Sequence, residues 1–421
     1  MREMKDSGIE WIKQIPTGWT TTRGKNILQL MKRPPEADDE VITCFRNGEV
    51  TLRRNRREEG FTFSDKEIGY QGIKKGDLVI HGMDGFAGAI GISDSDGKGS
   101  PVLVVCTTKE NARYLVYYLR TLAMQDVFLA LATGIRERSC DLRWNKIADL
   151  LFPVPELDEQ CRIADYLDRK CSQIDAIIAR QQEVIEKLKA YKLSVITEAV
   201  TKGLNPHAPM KDSGVEWIGE IPEHWKVPKI KYLATIASGG TPDRSHSEYW
   251  NGSINWAKTG ELQNNELYET EEKVTELALE NSSAKVFDVD TILVAMYGQG
   301  KTRGMTALLK VPSATNQACA GITVCSKDII VSYLWLFLMG AYDALREKAN
   351  GSGQPNLSSA LIADFYVTLP PLQEQANICK TIAKRLPHID EIIRQKEVII
   401  NKLIAYKKSL IYESATGKKE V

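Results

Sequence analysis

Two long stretches of the chain repeat apolar residues at helical spacing. In the first, Ile163, Leu167, Ile174, Ile178, Ile185 and Leu188 step by fours, sevens and a three. In the second, Ile378, Ile382, Ile389, Ile393, Ile400 and Leu403 do the same. A heptad-like stripe of this kind predicts a long amphipathic helix with one face in need of a partner. Neither stretch has an internal glycine, and Pro387 is the only internal proline. Pro155 and Pro371 stand at the starts, and Gly203 and Gly417 close the ends, the usual punctuation of helix termini. At ~1.5 Å per residue each helix reaches on the order of 60 Å. The apolar stripe of one copy is the natural partner for that of the other. A shorter apolar run, Ile329 to Tyr342, falls below the ~20 residues a bilayer span needs and predicts a buried core helix. Two further segments predict a strand running into a Gly-rich loop: GDLVIHGMDGFAG from Gly76 and VDTILVAMYGQGKTRG from Val289.

The stripes belong to a larger repeat. Met4 to Trp19 (MKDSGIEWIKQIPTGW) and Met210 to Trp225 (MKDSGVEWIGEIPEHW) agree at eleven of sixteen positions. The helical segments from Pro155 and Pro370 share the skeleton L-x-E-Q, I-D-x-I-I, E-V-I and K-L-x-A-Y-K-x-S. Each half thus runs box, variable region, long helix, and the half has been duplicated. The expected divisions are a first globular region with its box (1–153), a first long helix (154–208), a second globular region with its box (209–369) and a second long helix (370–421). The expected fold class is α+β: two α/β globular regions separated by two long coiled-coil helices, with the internal repeat giving a pseudo-two-fold axis.

Composition narrows the function. Lys and Arg together number 55 and so do Asp and Glu, so the chain has no overall charge with which to coat a polyanion; nucleic-acid binding must use local patches. Eight cysteines, none in a C-x-x-C pair, argue against structural zinc and for reduced thiols in a cytoplasm. The first residues, MREMKDSGIEW, lack an apolar signal core, and no membrane is expected.

Candidate chemistry is sparse. Ala295 to Thr302 reads AMYGQGKT, which fits a loose phosphate-loop pattern with Lys301 at the terminal phosphate. Against it, the first position is Ala, Gly304 interrupts the turn where a helix should start, and no later strand ends in an acidic residue to hold magnesium. An NTPase with a coiled-coil arm is the main alternative function, and a purely structural scaffold is a third. The Pro-Pro pairs at Pro34 and Pro370 lack the Asn/Asp-Pro-Pro-aromatic form needed to methylate a base amino group. No G-x-G-x-x-G opens a cofactor-binding unit, and five scattered histidines offer no acid–base centre. The basic signal lies in Val41 to Arg57, where Arg46, Arg53, Arg54, Arg56 and Arg57 face a single Glu49. Arginine forks suit phosphates and guanine edges. Asp84 lies on the first Gly-rich loop; Tyr297, Gln299, Lys301, Thr302 and Arg303 lie on the second. Asn316 and Gln317 follow, and their amides suit adenine. These thirteen side chains are the expected DNA contacts.

Two variable regions, each introduced by D-S-G-x-E-W-I-x-x-I-P-x-x-W and followed by P-x-L-x-E-Q…I-D-x-I-I…A-Y-K, resemble the specificity subunits of type I restriction–modification systems. The resemblance covers essentially the whole chain. It implies that each variable region reads one half of a bipartite double-stranded DNA site. It implies that the helices pack antiparallel, hold the domains apart, and dock two modification subunits together with restriction subunits. The chain would carry no catalytic site and bind no cofactor; S-adenosylmethionine, ATP and Mg2+ would sit on those partners. The setting implied is the prokaryotic cytoplasm, at the nucleoid.

Overall fold

The computed structural model describes residues 2–56, 68–131, 142–298, 300–348 and 356–421. The chain forms two compact units, Met1–Gln182 with Glu397–Val421, and Glu183–Lys396. Each long helix contributes one part to each unit.

In the first unit a four-stranded antiparallel sheet has the order Leu28–Leu30, Leu103–Thr108, Leu78–His81, Ile90–Ile92. The strand period of two sorts its side chains between two cores. Val104, Cys106, Leu78 and Ile80 face Tyr114, Leu115, Tyr118 and Leu119 of the helix Ala112–Met124. Leu103, Val105 and Val79 face Ile42, Cys44 and Val50 on the other side. The second unit repeats the device. Its five-stranded sheet runs Ala234–Ser238, Cys319–Val324, Ile292–Ala295, Thr306–Leu309, Asn265–Leu267, with only the last pair parallel. Ile292 and Val294 join one core while Leu293 and Ala295 join another. The apolar run expected as a core helix is Val331–Gly340, with Tyr333, Leu334, Phe337 and Leu338 buried.

The long helices span Leu157–Lys202 and Leu372–Ala415, the second with Pro387 inside it. Both stop at a left-handed glycine, Gly203 at φ +76° and Gly417 at φ +73°, the conformation that a Cβ penalises. Space is short as well: a Cβ at Gly203 would stand a tight 3.1 Å from the Trp225 ring, and one at Gly417 would clash with Pro16 at 2.4 Å.

The stripe has two partners where the sequence suggested one. Ile163, Leu167 and Ile174 are buried with Trp19, Tyr114 and Phe152 of the first globular core, and with Leu410, Ile411 and Ala415 of the other helix; Ile178 and Leu403 are half-buried at the edge. In the second unit Ile378 and Ile382 pack with Trp225, Tyr333 and Phe337, and with Val195, Ile196, Ala199 and Val200. Ile185, Ile389, Ile393 and Ile400 are buried and Leu188 is half-buried. Early turns therefore serve the globular core as well as the opposite helix.

The repeated motif letters are clamps. Trp19 Nε1 donates to Glu159 at 3.1 Å and Trp225 Nε1 to Glu374 at 2.9 Å, joining each box to the first turn of a long helix. The next residue is a fully buried glutamine in both copies. Gln160 accepts from Asn111 N and donates to Pro155 O, both at 2.9 Å. Gln375 accepts from Ile330 N and donates to Asp328 O and Pro370 O, each at 2.8 Å. The aspartate of I-D-x-I-I and the lysine of A-Y-K also meet across copies. Lys407 pairs with Asp175 at 2.6 Å in the first unit, and Lys192 with Asp390 at 2.7 Å in the second.

Candidate nucleic-acid interface

In the first unit the arginine-rich segment is a hairpin. Ile42–Cys44 pairs with Val50–Leu52, and a short turn of helix, Arg53–Asn55, follows. The Gly-rich loop, Gly82 to Ala89, joins the central strand Leu78–His81 to Ile90–Ile92. Hairpin tip and loop touch: Arg46 Nη2 donates to Asp84 Oδ1 at 2.8 Å. Glycines permit the approach, since a Cβ on Gly91 would lie 2.0 Å from Gly48 O and one on Gly88 2.9 Å from Arg46 O. Burial holds the His81 imidazole below its ordinary pKa, and its Nδ1 accepts from Asp84 N at 3.0 Å.

The picture of five cations facing one anion is corrected by the fold. Arg54 pairs with Glu40 at 2.5 Å, Arg56 with Glu49 at 2.6 Å, and Arg46 with Asp84. Arg56 also stacks 4.9 Å over Phe45, and Arg53 Nε lies 3.5 Å from Thr43 Oγ1. Two of these carboxylates, Glu40 and Asp84, come from outside the window that the sequence reading counted. The arginines are presented at an exposed edge, but their charge is largely balanced. Arg57 lies outside the described residues.

In the second unit the Gly-rich loop connects the strand Ile292–Ala295 to Thr306–Leu309. A strand therefore follows the AMYGQGKT segment, where a phosphate-binding loop opens a helix. Gly298, Gly300 and Gly304 all take positive φ. Two side chains that the sequence reading missed pin the loop. Arg346 donates to Gly300 O and Arg303 O, each at 2.9 Å, and Tyr342 OH donates to Lys301 O at 2.7 Å. With its backbone held, the loop presents Tyr297 and Lys301 outward; the Lys301 side chain is 85% exposed, with Glu186 at 3.6 Å. Thr302 and Arg303 are half-buried on the same loop. Gln299 lies outside the described residues. Asn316 and Gln317 occupy a second loop beside the root of the first, since Met296 N donates to Ala318 O at 2.7 Å.

Residues 222–403 match the family model described as the type I restriction modification DNA specificity domain. Over 440 aligned residues the chain is 26% identical to a putative type I restriction enzyme MjaX specificity subunit of Methanocaldococcus jannaschii, covering 97% of this chain and 95% of that protein. Along nearly its whole length the chain is similar to type I restriction enzyme specificity subunits. A second relative, the EcoKI specificity subunit of Escherichia coli K12, is 24% identical over 96% of this chain and 90% of its own length. A solved chain described under complex assembly and conformational transition of the type I R-M system shares the fold, with TM-score 0.72 at 13% identity over 96% of this chain and 99% of that one. The specificity subunit is the non-catalytic, DNA-recognising component of such systems, and nothing in these relatives supports a phosphate-loop NTPase. Among the described residues no helix is long and apolar enough to cross a membrane.

Proposed function

We propose that each globular region of this specificity subunit reads one half of a bipartite double-stranded DNA site, and that the two long helices form an antiparallel coiled-coil pair about a pseudo-two-fold axis. The observation that carries the reading is reciprocity. Asp175 of the first copy meets Lys407 of the second, and Asp390 of the second meets Lys192 of the first. A contact of i with j′ matched by j with i′ is the signature of an isologous interface, here supported inside a single chain. Two equivalent recognition units suit two half-sites and paired modification subunits docked along the helices, with restriction subunits beyond them. Those partners would hold S-adenosylmethionine, ATP and Mg2+, and the complex would work in the cytoplasm. The basic hairpin (Arg46, Arg53, Arg54, Arg56) and the loop carrying Tyr297, Lys301, Thr302 and Arg303 are the proposed DNA-facing elements.

The test is the salt dependence of DNA binding by the complex purified with its partner subunits. Lys301→Ala should lower the slope of log affinity against log salt by about one while the melting temperature stays put. An unchanged slope would remove this loop from the interface.

A further inference from the structure

The second unit contains a cleft of about 590 Å³ beside the turn Gly239–Gly240. That turn is wedged against its neighbours: a Cβ on Gly239 would lie 2.1 Å from Thr315 O, and one on Gly240 2.4 Å from Ala284 N. Only glycine lets the chain pass so close. The approach sets the Thr241 hydroxyl on the side-chain oxygen of Gln317. It also leaves the buried Trp256 as a wall, its indole N–H donating to Gly240 O at 3.0 Å.

Two cations enter the cleft, and both are already matched. Arg244 lies 4.2 Å over the Trp250 ring and donates to Glu272 at 2.8 Å. Lys258 Nζ donates to Glu271 at 2.8 Å and to Glu272 at 3.0 Å, and those bonds raise the lysine pKa. The cleft therefore has no surplus positive charge with which to draw a phosphate. What it holds unanswered is an amide. The side-chain oxygen of Asn316, at the cleft lining, is buried without a hydrogen-bond partner among the described residues. A buried acceptor is costly unless something donates to it. The fitting ligand is uncharged and polar, with an amino donor beside an acceptor, and the adenine edge presents N6 and N7 in that arrangement to an Asn side chain.

We propose that this cleft reads one adenine of the half-site contacted by the second globular region, with Asn316 as the specificity-determining residue. Arg244, Lys258 and their carboxylates hold the cleft's shape around it. The inference rests on the reading that this region recognises DNA.

The complex purified from its host is titrated with its methylated-site DNA and with a panel in which each base pair is replaced singly. For the native complex, discrimination should reach about tenfold or more at an A·T pair contacted in the cleft. In Asn316→Ala and in the size-conserving Asn316→Asp, discrimination at that one pair should fall to near one, with every other pair of both half-sites unaffected. Asn316→Asp decides if Asn316→Ala fails to fold, as thermal melting will show. An unchanged profile, or an equal loss at all pairs, overturns the role of Asn316. A native complex that discriminates at no pair overturns the DNA reading itself, and this proposal with it.

Discussion

Gln375→Leu should be among the most damaging substitutions of a polar residue in this chain, although Gln375 lies far from any proposed DNA contact. The side chain is fully buried and makes three hydrogen bonds at 2.8 Å, one accepted from Ile330 N and two donated to Asp328 O and Pro370 O. Leucine keeps most of the volume but leaves an amide and two carbonyls without that partner. At about 1 kcal/mol or more for each orphaned group, and allowing for partial relaxation, the loss comes to roughly 3 kcal/mol. For a unit of this size that lowers the melting temperature by roughly 6–12 °C. Gln373, exposed two residues earlier on the same helix, is the control, and Gln373→Leu should stay within about 0.5 kcal/mol. The assay is urea and thermal denaturation followed by circular dichroism. A loss below about 1 kcal/mol for Gln375→Leu, or equal losses for both variants, would refute the view that the repeated E-Q motif clamps the long helix to the globular region.

Three further outcomes are expected. Asp175→Lys should cost about 0.5–1 kcal/mol and be largely restored by adding Lys407→Asp; a double-mutant cycle with no coupling would remove the ion pair from the helix contact. Arg346→Ala should free the loop that it holds at Gly300 O and Arg303 O, speeding tryptic cleavage after Lys301; an unchanged rate would mean that the anchors are dispensable. Burial pushes the thiols of Cys44, Cys106 and Cys319 up to about 12, so near neutral pH they remain protonated and unreactive. Among the cysteines of the described residues, alkylation mapped by mass spectrometry should instead mark the exposed Cys325 first, and rapid labelling of Cys106 in the folded chain would contradict that packing.

The ends of the long helices were legible because proline and glycine act locally. Pro155 and Pro371 stand just outside the first turns, and Gly203 and Gly417 take the left-handed conformation that ends them. The apolar stripe was legible too, but not what it packs on. One isoleucine face can serve a globular core or another helix, and Ile163 and Ile378 do both. The arginine hairpin shows the limit of counting charge in a window: Glu40 and Asp84 neutralise Arg54 and Arg46 from outside it. The Asn316 cleft lay further out of reach. Its walls come from the turn at Gly239, the strand carrying Trp256 and the loop after Thr315, which only the sheet brings together. Asn316 itself was already an expected adenine contact from the sequence; the cleft around it was not, and the adjacent glycines at 239 and 240 were the local sign of it.

The most direct test of the account is a map of DNA methylation in the host with this gene intact, deleted, and carrying Lys301→Ala. The account predicts a bipartite methylated motif that disappears on deletion, and relaxation or loss confined to one half-site in the variant. A methylation pattern indifferent to the deletion, or a variant that alters both half-sites alike, would contradict the assignment of one half-site to each globular region.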